Sequence, residues 1–355
     1  MPLIAHTRLP AFQRLRDEGF YVVGPDQAST ESRDLHIGIL NLMPDAALEA
    51  TERQFMRLLS AGRRPANVYV HLFTVDGVGR QGRAQAHLDQ HYASFDDIRR
   101  DGLDALLITG ANPASPVLRD EGFWQGTVEV VDWAREHVIS TLCSCLATHA
   151  VVQQYHGEER TKLPEKRWGV YSHRVVDTSH PLVKRVNTRF DAPHSHVYEV
   201  TEAQLVQCGI RQLAVSEQAG VHLAVSEDGF RFVYFQGHPE YDINSLLKEY
   251  KREVSRFADQ TRADYPPFPE HYFTAETEAL LSEFRIRLEA GVDRAKTMTE
   301  FPETELNTML ENTWTDTGMA IFGIWLDLLH ELSSDGRGGG FKPGVDASNP
   351  LSLNS

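Results

Sequence analysis

Apolar positions along the chain fall into short unbroken runs separated by stripes of helical spacing. Leu35-His36-Ile37-Gly38-Ile39-Leu40-Asn41-Leu42-Met43 is the first run, and Pro44 ends it because proline has no amide to donate. Leu48, Phe55, Met56 and Leu59 then recur at three- and four-residue spacing, which predicts a helix over 46–59. Residues 68–75 form the next strand, and a polar crossing over 77–100 leads to the run 103–109, closed by Gly110-Ala111-Asn112-Pro113. Trp124, Val128, Val131 and Ala134 mark one face of a helix that returns to His137-Val138-Ile139-Ser140-Thr141-Leu142-Cys143-Ser144-Cys145. The following residues, 146–155, suit a helix ended by Gly157.

Beyond Gly157 the pattern changes. Residues 168–176 alternate as a half-exposed strand would, 191–196 read as a turn between short strands, and 212–225 hold strand-like pieces. Phe230-Arg231-Phe232-Val233-Tyr234-Phe235-Gln236 is a strong strand that stops at Gly237-His238-Pro239-Glu240. A helix with Asp242 as N-cap follows, with Leu246, Leu247, Tyr250, Val254 and Phe257 on one face. Prolines break it at 265–269. A further helix carries Leu280, Leu281, Phe284 and Leu288, and 319–332 is apolar nearly all round, so the body or a second subunit must cover it.

Near-continuous apolar strands alternating with helices predict an α/β fold, a mostly parallel sheet with helices on both faces. Residues 1–34 read as an N-terminal arm over the first strand, 35–332 as the body with a helical insertion over 258–312, and 333–355 as a disordered tail rich in Ser, Gly, Pro and Asn.

Charge and composition narrow the function classes. A formal net charge of -15 with no Lys/Arg block argues against nucleic acid or an anionic membrane as the main partner. No apolar run approaches the roughly 20 residues needed to span a bilayer, and 1–16 lacks a charged region followed by an apolar core, so a cytoplasmic location is expected. Three cysteines suit reduced thiols better than a disulfide framework. Neither CxxC nor HExxH occurs, and no metal is expected.

The chemistry centres on the strand end near residue 145. Cys143 lies inside the strand, where a small buried hydrophobe is the better reading. Cys145 sits at the strand-to-helix junction, where unpaired N–H groups and the helix dipole favour a thiolate and can hold an oxyanion. Position alone leaves it balanced between catalysis and a structural thiol. The second strand end tips the balance, because a cysteine nucleophile needs a base and the base needs a group to orient it. His238 and Glu240, two apart on extended backbone, supply both on one side.

These residues resemble the class I glutamine amidotransferase fold. More narrowly, Leu40-Asn41-Leu42-Met43-Pro44, Gln54-Phe55-Met56-Arg57-Leu58-Leu59, Thr109-Gly110-Ala111, Ser140-Thr141-Leu142, Ala192-Pro193-His194-Ser195 and Gly237-His238-Pro239-Glu240-Tyr241-Asp242 resemble the homoserine O-succinyltransferase family. The similarity runs from about residue 10 to 257 and resumes over 314–329. It implies ping-pong acyl transfer: Cys145 takes the acyl group from acyl-coenzyme A as a thioester and passes it to the homoserine hydroxyl. His238 is then the general base and Glu240 its orienting group. The Leu146 amide is the expected oxyanion donor, with a second from the Gly110 turn or the loop after Met43. By the same resemblance Lys166, Ser195 and Arg252 contact homoserine, and Ala114 tunes the acyl donor, its small size favouring succinyl- over acetyl-coenzyme A. No bound cofactor is expected, and a homodimer is.

The chain departs from the family in three places. Asp45-Ala46-Ala47 stands where lysines often follow Asn-Leu-Met-Pro, the segment 258–312 is long, and Cys143-Ser144 precedes Cys145. Two other readings share the scaffold: a glutaminase or amide hydrolase, against which the elbow's missing flanking glycines speak, and a non-enzymatic binding module, which predicts an unreactive Cys145.

Overall fold

The apolar runs pair into a single sheet whose strand order decides which strand ends meet. The computed structural model describes residues 1–291 and 293–353. The strands are β1 Leu3–Ile4, β2 Val22–Val23, β3 Arg33–Leu42, β4 Ala66–Phe73, β5 Ala105–Ala111, β6 Ser140–Ser144, β7 Thr161–Val175, β8 Arg189–Glu199, β9 Arg211–Ser216, β10 Gly220–Val225 and β11 Phe232–Phe235. Their order is β2-β1-β4-β3-β5-β6-β11-β10-β9-β7-β8. Pairings from β2 across to β11 are parallel, and those beyond β11 are antiparallel.

The helices are α1 Pro10–Asp17, α2 Leu48–Leu59, α3 Gly82–His91, α4 Phe95–Asp101, α5 Trp124–His137, α6 Leu146–His156, α7 Glu202–Gln207, α8 Ser245–Ala258, α9 Ala275–Ala290, α10 Arg294–Met298, α11 Glu303–Met309 and α12 Thr315–Leu332. They cover both faces. Ile37 and Ile39 of β3 share one core with Phe55 and Met56 of α2 and Trp325 and Leu329 of α12. Leu40 and Leu42 of the same strand lie in the opposite core, with Trp124 and Val131 of α5 and Val151 of α6. Successive side chains of a strand point to opposite faces, so a strand covered on both sides must be apolar nearly throughout.

The insertion builds a third core. Leu281, Phe284 and Leu288 of α9 and Leu306 of α11 pack on Leu247, Tyr250 and Val254 of α8 and on Trp168 of β7. Its residue 292 lies outside the described residues.

Several expectations change. The N-terminal segment is not an arm: β1 and β2 extend the sheet beyond β4, and Phe12 and Leu15 of α1 enter the main core. The polar crossing over 77–100 contains α3 and α4, helices too weakly amphipathic to show a stripe. Residues 191–196 lie within β8 rather than in a turn. β8 is an edge strand, where a proline such as Pro193 is tolerated because it need not donate outward. Asp242 does not cap α8, whose N-cap is Asn244. Its carboxylate instead pairs with Arg53 and Arg57 of α2, an ion pair across the fold that outcompetes a local cap. The expected disordered tail packs along the body as far as it is described. Phe341, Val345 and Leu351 lie against the main core, and Arg337 donates to the Gly102 carbonyl at 2.9 Å.

Candidate active site

Parallel pairing of β6 with β11 puts Ser144 beside Phe235, so Cys145 and the loop that opens at Gln236 leave the sheet side by side. Across β6, β5 pairs Ile108 with Cys143. That brings Gly110 against Cys145, where an added Cβ would lie 3.7 Å from the cysteine Cβ.

Cys145 occupies the N-cap of α6 with φ 50° and ψ -108°, a conformation non-glycine residues rarely adopt. Its surroundings hold it there. The Cys145 amide donates to Phe235 O at 2.7 Å, and its carbonyl accepts from the Thr148 amide at 3.0 Å. The Thr148 hydroxyl reaches Phe235 O at 2.9 Å. Cys145 and Leu146 both line the same cleft, and the Leu146 amide lies in the first helical turn, where no intrahelical acceptor exists. Cys143 is buried in β6, and burial pushes its thiol pKa up, as suits an inert core residue.

His238 is fixed from several sides. Its amide donates to Pro193 O at 2.7 Å, its Nδ1 lies 2.8 Å from Glu240 Oε1, and the ring lines the same cleft as Cys145. Tyr241 stacks on it at 4.3 Å between centroids. Burial pushes the His238 pKa down, but the Glu240 carboxylate and the Cys145 sulfur outweigh burial and hold it well above the ordinary value. Helix α12 closes over this loop. Trp314 Nε1 donates to Tyr241 O at 2.9 Å, and Gly318 lets the helix approach so closely that an added Cβ would lie 3.0 Å from Pro239 O.

A cleft of about 300 Å³ opens over the thiol, lined by Cys145, Leu146, His238, Gly110, Lys166, Ser195 and Arg252, among others. All three residues matched to homoserine contacts therefore reach it. Two of them converge on a group the sequence reading missed: Glu249 Oε2 accepts from Ser195 Oγ at 2.6 Å and Lys166 Nζ at 3.1 Å, while Tyr241 donates to Oε1 at 2.9 Å. Burial raises the Glu249 pKa, but Lys166 and these hydrogen bonds more than reverse it, so the carboxyl stays below its usual range. The sequence held little signal for Glu249, one acid among the charges of α8. Arg252 is 63% exposed, 3.7 Å from Glu253, with its guanidinium at the rim.

Ala114 is exposed and sits just past Pro113, one of the cleft residues. Arg160, also missed, holds that loop by donating to the Ser115 and Pro116 carbonyls at 2.9 and 3.0 Å while lying over Tyr198. Burial lowers its pKa. On the other rim, where the family often has lysines, Arg80 is buried beneath the loop, bound to the Met43 and Asn41 carbonyls and 3.4 Å from Asp45.

A thiol on a strained elbow, an imidazole past the neighbouring strand end and a carboxylate behind it stand together where the parallel strands of an α/β fold end. The chain belongs to the homoserine O-succinyltransferase family, whose model, described as HTS: Homoserine O-succinyltransferase, matches residues 2–333. Homoserine O-succinyltransferase of Methylobacter tundripaludum is 53% identical over 354 residues, covering 99% of this chain and 100% of that protein. The protein of that name from Allochromatium vinosum is also 53% identical over 354 residues, covering 99% of each. Among solved structures, a glutamine amidotransferase from Methylobacillus flagellatus is 13% identical, with a TM-score of 0.44 over 83% of this chain and 95% of that one.

Proposed function

We propose that this protein transfers the succinyl group of succinyl-coenzyme A to the hydroxyl of L-homoserine, an early step of methionine biosynthesis, through a thioester on Cys145. The observation that carries the reading is the contact chain from Cys145 to His238 to Glu240 at the mouth of a cleft, in a chain about half identical to proteins of that name. In the first half-reaction the Cys145 sulfur attacks the thioester carbonyl, the oxyanion rests on the Leu146 amide, and coenzyme A leaves as the thiol with a proton from His238. In the second, His238 takes the proton of the homoserine hydroxyl as its oxygen attacks the acyl-enzyme, the carbon–sulfur bond breaks, and Cys145 leaves as a thiolate beside the protonated His238. Exchanging one thioester for another is nearly balanced in energy, so the intermediate is neither a trap nor a barrier.

Arg252 suits the homoserine carboxylate, since its guanidinium can grip both oxygens. Lys166 and Ser195, held by Glu249, shape the wall beside it, and Ala114 leaves room for the longer acyl group. The same reading has the protein act in the cytoplasm as a homodimer. Among the described residues no helix is long and apolar enough to cross a membrane. Met319, Ile324 and Leu328 on α12 remain part-exposed, which supports the homodimer, and sedimentation equilibrium tests it.

Incubation with succinyl-coenzyme A alone is expected to add one succinyl mass to the peptide containing Cys145, with release requiring homoserine. Cys145→Ala should abolish the adduct. Ammonia release from glutamine, with no turnover of homoserine, would replace this reading with a glutaminase.

A further inference from the structure

Behind the His238 loop lies a buried group of three histidines, His173 of β7, His194 of β8 and His222 of β10, that the acyl-transfer reading does not use. They are 0%, 0% and 1% exposed. One ring nitrogen from each falls within 4.8 Å of the others. His222 is there because of an irregularity: the β10–β9 register shifts between Val221 and Leu223, leaving His222 as the extra residue of a bulge, a device that re-aims a side chain.

The hydrogen bonds around the group set its tautomers. His196 Nδ1 lies 2.8 Å from Tyr198 O. A carbonyl can only accept, so that nitrogen carries the proton. The His196 ring is buried, and with its Nδ1 proton given to that carbonyl its Nε2 accepts from His194 Nδ1 at 3.0 Å. His194 has then used its one proton. Its Nε2 is a bare lone pair, and it faces His173 Nε2 at 3.2 Å. His222 Nδ1 is buried with no partner among the described residues. The Gly237 backbone packs closely against these two nitrogens: a Cβ there would lie 2.6 Å from His194 Nε2, 2.7 Å from His222 Nδ1 and 2.8 Å from Pro193 O, so only glycine fits.

We propose that His173, His194 and His222 bind a first-row divalent cation, of which zinc is the best match, at a structural site that braces the strand end carrying His238. Neutral imidazole is the commonest nitrogen ligand of such ions. With zinc–nitrogen bonds of about 2.0–2.1 Å and tetrahedral angles, ligand nitrogens stand roughly 3.3 Å apart and ring centroids about 5 Å apart. The rings here are 5.0, 5.1 and 5.7 Å apart, with the one close nitrogen pair at 3.2 Å. The His194 Nδ1–H bond to His196 is the outer contact that a ligating histidine makes to fix its orientation. The competing arrangement is a proton-ordered chain of imidazoles in which His173 Nε2–H donates to His194 and no ion is present.

The full-length protein, stripped with chelator and then dialysed against Zn²⁺, should retain one equivalent per chain by atomic emission. His173→Gln and His222→Gln should each weaken retention by at least about tenfold. Cys145→Ala should keep the full equivalent, since the thiol is not a ligand. Retention well below one equivalent, retention unaffected by both histidine substitutions, or loss of the ion with Cys145→Ala would each overturn the site. Should the histidine variants fail to fold by circular dichroism, Co²⁺ substitution of the unaltered chain decides. Tetrahedral visible bands without a thiolate-to-cobalt transition support the site, whereas that transition, or no bands, refutes it.

Discussion

At the scale of single residues, protonation carries the argument. The Glu240 carboxylate and the Cys145 sulfur beside it outweigh burial and hold the His238 pKa above that of a free histidine. Glu240→Gln removes one partner, and the His238 titration followed by NMR should move down toward about 6.5. The same substitution should lower kcat roughly 100- to 10,000-fold, the range expected when general base chemistry loses its orienting group. The sign for stability follows. A pKa raised on folding contributes stability that is complete below the unfolded value of about 6.5 and is lost as pH rises through the folded value, so Glu240→Gln should cost more stability at pH 6 than at alkaline pH. Glu249 runs the other way: its lowered pKa makes its contribution present above the unfolded carboxyl value and lost on acidification. Because Lys166 and Ser195 both rest on it, Glu249→Gln should raise KM for homoserine well above its effect on KM for the acyl donor, in steady-state kinetics with each substrate varied.

At the scale of elements, the turn at Cys145 is held by what surrounds it. Gly157 ends α6 with φ 73° and has open space around its Cα, so Gly157→Ala should cost about 1 kcal/mol from backbone conformation alone, read by denaturant unfolding. Trp314 at the start of α12 ties down the Tyr241 carbonyl. Trp314→Phe removes that hydrogen bond and should cost about 1 kcal/mol in the same assay. The elements nearest the chemistry were the most legible: β3, β6, α6 and β11 are apolar runs bounded by Pro44, Gly157 and the Gly237-His238-Pro239 stop. The misreadings share a cause, since each element follows a partner distant in sequence. β8 accepts Pro193 as an edge strand, and Asp242 leaves its expected capping role for Arg53 and Arg57.

At the scale of the molecule, the two ends of the chain are part of one body. Trp325 of α12 is fully buried and donates to Ser140 Oγ at 2.9 Å, tying the last helix to β6, the strand that leads into Cys145. Trp325→Ala should destabilise by about 3–5 kcal/mol through the cavity it leaves. Removing residues 334–355 should lower Tm in a thermal melt, because Phe341, Val345 and Leu351 lose their seats against the core. A freely disordered tail would leave Tm unchanged.

Local chemistry written in the chain made Cys145, His238 and Glu240 the candidates, because a thiol at a helix start and an imidazole two residues from a carboxylate are legible in spacing, and the fold brings Cys145 and His238 to one cleft with Glu240 against the imidazole. The family pattern added Lys166, Ser195, Arg252 and Ala114. Folding alone decided that Glu249 lies under Lys166 and Ser195, that Arg160 and Arg80 hold the loops flanking the cleft, and that three histidines from separate strands share one buried point. Periodicity reports which face of an element is covered, whereas these groupings depend on sheet order, on a bulge and on an edge strand folding back.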